Sequence, residues 1–266
     1  MASWQREAHV ALLMTLRLTL LSGLIALAWA APALCGDANT MPKTFVYLAD
    51  IDPTIAQDMR YAGPNNFTGK PVPGYDAAEC VLVREAAEAL KRVQESVRAR
   101  GYTLKVYDCY RPARAVAAFV DWAKEPDDPK AKTIYYPNLP KSALFPDYIA
   151  PRSGHSRGAT VDLTLAPIGE QTSGLPAAEP CTAPEGSKAP DGSLAMGTTF
   201  DCFDGKSTKF ASNITAEQNA NRTVLEDAMQ AQGFEGYDME WWHFTLKNEP
   251  YPGTIFDFPI LPRPQH

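Results

Sequence analysis

Hydrophobic positions along the chain change period several times, and each change marks an element. Leu82, Ala86, Leu90, Val93 and Val97 recur at helical spacing until Gly101 stops the pattern, and Asp76 with Glu79 forms a capping-box signature ahead of them. The spacing predicts a long amphipathic helix over about 77–100. Leu104 and Val106 then alternate with polar neighbours in a strand that runs into Asp108-Cys109-Tyr110-Arg111-Pro112, and Pro112 suits the opening of a helix through Trp122. Arg111 falls at that strand-to-helix junction. Ala159, Val161, Leu163 and Leu165 alternate with Thr160, Asp162 and Thr164, the period of a half-buried strand with Asp162 on its polar face. Thr215 with Gln218 is a second capping box, opening a helix to about Gln232 that Gly233 ends, and Glu240 to Leu246 reads as a closing strand.

Elsewhere the pattern is weaker. Phe45 to Ile55 reads as a short extended segment, Tyr61 to Tyr75 as a loop rich in Gly, Pro and Asn, and 125–152 as irregular. Pro176 to Gly192, heavy in Pro, Ala, Glu and Gly, looks like an insertion, either ordered by a disulfide or mobile. Strands and helices mix without regular alternation and without an internal repeat, which predicts an α+β domain with a central antiparallel sheet and flanking helices, not a doubly wound one.

Composition narrows the setting. A chain of 266 residues with 45% hydrophobic side chains can bury one core without a partner. Arg6 and Arg17 precede the apolar run Leu18 to Ala30, which ends in Ala28-Trp29-Ala30. Residues 1–30 therefore read as a removed signal peptide, 31–43 as a linker and 44–266 as the domain. The run is shorter than the ~20 apolar residues of a membrane span, so no stable span is expected after cleavage. Leu34-Cys35 only faintly resembles a lipid-anchored cysteine, because Leu34 is bulky where that signal takes a small residue. The expected location is the periplasm or cell envelope. A net charge of -6 without a basic run excludes nucleic acid as a partner.

Export makes disulfides expected. Cys80, Cys109, Cys181 and Cys202 can pair in three ways and form no CxxC metal motif. Local pairing, Cys80 with Cys109 and Cys181 with Cys202, is expected because each pair flanks one supersecondary unit, with free buried cysteines as the alternative.

Of four histidines, His9 lies in the leader and His266 is the last residue, leaving His155 and His243 in the folded body. A lone histidine is ordinarily a hydrogen-bonded core residue. Two in unusual contexts, Ser153-Gly154-His155 and Glu240-Trp241-Trp242-His243, point instead to metal: His155, Asp162 and His243 supply the three nitrogen and oxygen ligands of a catalytic zinc site. Glu240 is then the candidate general base and acid. Positions i and i+3 of a regular strand face opposite ways, so Glu240 must sit at a bend before the strand, with Gly236 to Met239 as the turn. Arg111 is a candidate for meeting the charge that develops in the transition state, although from position alone it reads as a surface arginine pairing with a carboxylate.

These segments together resemble the zinc D-Ala-D-Ala metallopeptidases, most closely the dipeptidase branch of the vancomycin-resistance type. SGHSRGATVD is similar to the family's Ser-x-His-x-x-Gly-x-x-x-Asp segment, EWWH to its Glu-x-x-His, and YDCYRP to the segment with its transition-state arginine. The resemblance implies one zinc ion per chain on His155, Asp162 and His243, catalysis by Glu240 and Arg111, and a zinc cleft in the α+β domain. DMRYAGPNNFTGKPVPGY and MGTTFD resemble segments peculiar to the dipeptidases. They imply Tyr61 and Asp201 at the substrate's ammonium group, with Ser153 and Tyr75 at its carboxylate. A small dipeptide is thus the expected partner, and the oligomeric state is left open.

Three rivals stand beside this reading. A D,D-carboxypeptidase or endopeptidase on longer wall peptides is disfavoured by the ammonium clamp. An inactive zinc-holding wall-binding protein is disfavoured by the presence of both Glu240 and Arg111. A carbohydrate-binding wall module leaves the two histidine contexts without an account.

Overall fold

A computed structural model describes residues 39–170, 179–184 and 189–264, and these belong to one compact unit. The expected leader, Cys35 and most of the linker lie outside the described residues. Strand β1 (Phe45–Tyr47) passes directly into the short helix α1 (Leu48–Ile51), followed by β2 (Ala56–Gln57) and β3 (Val81–Val83). Then come α2 (Arg84–Arg98), β4 (Tyr102–Asp108), α3 (Ala113–Lys124) and α4 (Pro129–Tyr135). Strand β5 (Thr160–Pro167), α5 (Ala216–Ala231), β6 (Phe234–Tyr237) and β7 (Glu240–Leu246) complete the chain.

The main sheet has the order β2-β4-β5-β7-β6, antiparallel except for the short parallel edge pair β2–β4. The expected α+β class holds, with that one parallel pair added. Helices α2 and α5 pack on each other and on the sheet, burying Leu90, Val93, Val97, Leu225 and Met229 against it. The expected capping box of α5 is present: Thr215 accepts from the Gln218 N–H while the Gln218 side chain accepts from the Thr215 N–H.

Three expectations need correction. Helix α2 starts at Arg84, not near Ala77, and Asp76 caps nothing there; its N–H donates to the Ile260 carbonyl. Val81-Leu82-Val83 instead pairs antiparallel with β1, because a β-branched run suits a pleated strand better than a first helical turn. Only the first three residues of the Phe45 to Ile55 stretch are extended before α1 begins. The supposedly irregular stretch 125–152 contains α4, whose Asp128 accepts from the Lys130 and Ala131 N–H groups ahead of Pro129. Both expected disulfides are formed, Cys80–Cys109 and Cys181–Cys202. Among the described residues no helix is long and apolar enough to cross a membrane.

Gly158 joins the fold to the site. It closes the turn that holds His155, at φ 81°, and a Cβ there would collide with the Phe45 ring. Gly158→Ala is expected to destabilise the protein by at least about 2 kcal/mol, since left-handed strain and overpacking add at one position. Urea unfolding checks this; an unchanged midpoint would show that β1 moves away at little cost.

Candidate metal and substrate site

Sheet register assembles the site. Asp162 on β5 is the direct partner of His243 on β7, and a bulge between Val106 and Asp108 on β4 sets Asp108 opposite Asp162 as well. The polar face of β5 is therefore not a solvent face: Asp162 lines a cavity, and Thr160 and Thr164 are buried. His155 arrives from the 154–157 turn, where the Ser153 hydroxyl oxygen accepts from the His155 N–H.

The carboxylate of Asp162 lies 3.3 Å from His155 Nε2 and 3.1 Å from His243 Nδ1, and the two ring nitrogens are 3.2 Å apart. His155 Nδ1 donates to the Cys109 carbonyl at 2.7 Å, so its Nε2 presents a lone pair. Asp162 Oδ1 is buried without a hydrogen-bond partner. These lone pairs face one another, an arrangement that a cation relieves. Separations near 3.2 Å also match the edge of a tetrahedron with metal–ligand bonds of about 2.0–2.1 Å. The residues thus fit a divalent metal with nitrogen and oxygen ligands. Burial lowers the pKa of His243, against the opposing pull of Asp162, and this favours the neutral imidazole that ligation requires.

Glu240 opens β7 immediately after the two-residue turn Asp238-Met239, so the bend is shorter than expected and Gly236 already belongs to β6. The register shift between Gly236 and Tyr237 pairs Tyr237 with Glu240, which lets Glu240 and His243 share one side despite their spacing. Glu240 Oε2 lies 3.6 Å from His243 Nδ1. Burial raises the Glu240 pKa well above the carboxylate range, and Asp162 and Asp201 add to the rise.

Arg111 is clamped by Asp108, with Nε at 2.9 Å and Nη2 at 2.8 Å from the same oxygen, and Nη2 lies 3.5 Å from Asp162. Its guanidinium also lies over the rings of Tyr61 and Phe119. Burial works against its charge, but Asp108 foremost keeps it protonated. The Tyr61 hydroxyl sits 2.9 and 3.1 Å from the two oxygens of Asp201. Asp201 has φ 60°, the one positive value for a non-glycine among the described residues, so strained backbone aims this carboxylate. Burial, reinforced by the field of Asp162, pushes its pKa up to about 8.

Tyr61, Arg111, Ser153, Asp162, Asp201, Glu240 and His243 all line one cavity of about 190 Å³. Tyr75 does not. Its hydroxyl donates to Asp108 at 2.6 Å, and backbone bonds from Gly74 and Asp76 to Ile260 pin its loop. Sequence reasoning missed Asp108, whose one signal was its position three residues before Arg111. It also missed Asp147, Tyr148, Arg152 and Tyr237 on the cavity wall, which come from segments without a clear period.

Comparison with known proteins agrees with this geometry. The family described as D-Ala-D-Ala dipeptidase matches residues 41–172 and 190–261. A D-alanyl-D-alanine dipeptidase of Streptomyces coelicolor is 41% identical over 221 residues, 83% of this chain and 100% of the relative. Proteins of that name from Enterococcus faecium and Enterococcus faecalis are 38% and 37% identical, over 81% and 83% of this chain and 98% and 100% of their own lengths. Matched over most of its length, and spanning these relatives nearly end to end, the chain belongs to the D-Ala-D-Ala dipeptidase family.

Proposed function

We propose that the chain is a zinc-dependent dipeptidase that hydrolyses D-alanyl-D-alanine in the periplasm or cell envelope, with His155, Asp162 and His243 as metal ligands. The observation that carries this is convergence: His155 offers a third ligand atom beside those of Asp162 and His243, and these two, Glu240, Arg111 and the Tyr61–Asp201 pair line one cavity of about 190 Å³. That is below the ~300–1,000 Å³ of sites for drug-sized ligands, and it suits a very small substrate. The two disulfides support an oxidising compartment.

When bound, zinc supplies Lewis acidity, polarising the scissile carbonyl and acidifying a water molecule. The protein does the rest. Glu240, on the cavity wall 3.6 Å from His243, takes a proton from the attacking water and passes it to the leaving amine. Arg111, held still by Asp108, meets the negative charge that develops on the carbonyl oxygen without reorganising. Tyr75 steadies this pair through its bond to Asp108. Asp201, with the Tyr61 hydroxyl, receives the substrate's ammonium group, and Ser153 lies at its carboxylate end.

The test is substrate length. The zinc-loaded protein is expected to hydrolyse D-alanyl-D-alanine, and to lose at least ~10²–10³-fold in kcat/KM on its N-acetyl derivative, which offers Asp201 no cation. A wall pentapeptide should fare no better. Comparable rates on all three substrates would overturn the dipeptidase reading and leave a zinc peptidase, whereas a preference for the pentapeptide would mark a carboxypeptidase.

A further inference from the structure

Outside the cavity the fold buries a second group of charges. Lys105, fully buried on β4, places Nζ 2.9 Å from Asp191 Oδ2 and 3.1 Å from Asp58 Oδ2. Arg60 binds the same two oxygens, at 3.0 and 2.9 Å, and the Tyr107 hydroxyl donates to Asp191 Oδ2 at 2.6 Å. Asp191 Oδ1 accepts from the N–H and hydroxyl of Ser193. None of these residues lines the cavity. Two cations balance two carboxylates, in a place where burying any charge is costly. Apolar residues of similar volume often replace a buried ion cluster without loss of stability.

What it joins is informative. Arg60 is the residue before Tyr61, and Asp191 anchors the segment that leads to Asp201. The Tyr107 ring stacks on Phe200, the residue before Asp201, at 4.6 Å and 12°. Phe200 in turn meets the Tyr61 ring at 6.2 Å. The two halves of the ammonium clamp come from chain segments 140 residues apart, yet both are tied next door to one carboxylate.

We propose that Asp191, with Arg60, Lys105 and Tyr107, is the positioning device of the ammonium clamp: it holds Tyr61 and Asp201 at hydrogen-bond distance in front of the metal ligands. Asp191 is a positioning residue that touches no substrate and acts through Asp201. This rests on the dipeptidase reading above.

A double-mutant cycle on the zinc-loaded mature protein tests it. Asp191→Asn should lower kcat/KM on D-alanyl-D-alanine by about 10–100-fold, chiefly through KM, with one zinc per chain retained. In an Asp201→Asn background the same change should cost less than about 3-fold, because the residue through which it acts is already lost. Equal losses in both backgrounds, or loss of zinc, would reduce the cluster to general structural support and overturn the proposal. Tyr107→Phe keeps the stack on Phe200 and every charge, removing one hydroxyl. It is measured in the same two backgrounds and decides the matter if the Asp191 variant does not fold. Failure of the dipeptidase reading would look different: the native protein itself would show no preference for the free amine.

Discussion

Glu240→Gln is expected to leave one zinc per chain in place and to lower kcat by about 10²–10⁴-fold, the usual worth of a positioned general acid and base. The side chain keeps its size, so the cavity and the Tyr237 pairing at the start of β7 should persist. What is lost is a group able to carry a proton between water and leaving amine. Glu240 stands apart from the three ligand atoms that converge on one point, and its nearest approach is the 3.6 Å contact to His243. Metal content and KM should therefore change little. Metal analysis beside steady-state kinetics separates the cases: a variant that turns over normally removes Glu240 from the chemistry, and one that loses zinc makes it a ligand.

His155→Ala is expected to have the other large effect, loss of stoichiometric zinc and of all measurable activity. Two ligands remain, and the Cys109 carbonyl that oriented the imidazole is left without its donor. Binding to the native state alone stabilises a protein by mass action, so added zinc should raise the melting temperature of the stripped native protein. The melting temperature of His155→Ala should not respond to zinc. A variant that still bound one equivalent and hydrolysed the dipeptide would place the metal elsewhere.

Much of this site could be read from sequence, because its residues lie in short segments whose neighbours constrain them. Asp162 stands out as polar in an alternating strand, and His243 follows Glu240 at a spacing that demands a bend. What stayed hidden depends on register and on contacts between distant segments. No local pattern announces that a bulge in β4 slides Asp108 opposite Asp162, or that Tyr75 turns to Asp108 and away from the cavity. Val81-Leu82-Val83 continues the apolar spacing of α2, so only its pairing with β1 distinguishes this three-residue strand from the helix that follows. The charges around Lys105 were equally opaque, since a lysine in an alternating strand ordinarily reads as a solvent-facing position.

Each of the two disulfides sits next to one part of the proposed site. Cys109, bridged to Cys80, offers the carbonyl that orients His155, and Cys202, bridged to Cys181, directly follows Asp201. One bridge thus abuts the metal ligands and the other abuts the substrate clamp. Each closes a short loop, of 29 and 21 residues, restricting the unfolded chain by about 3 kcal/mol apiece in the chain-entropy description. Each bridge therefore limits how far its neighbouring part of the proposed site can stray while the chain is unfolded.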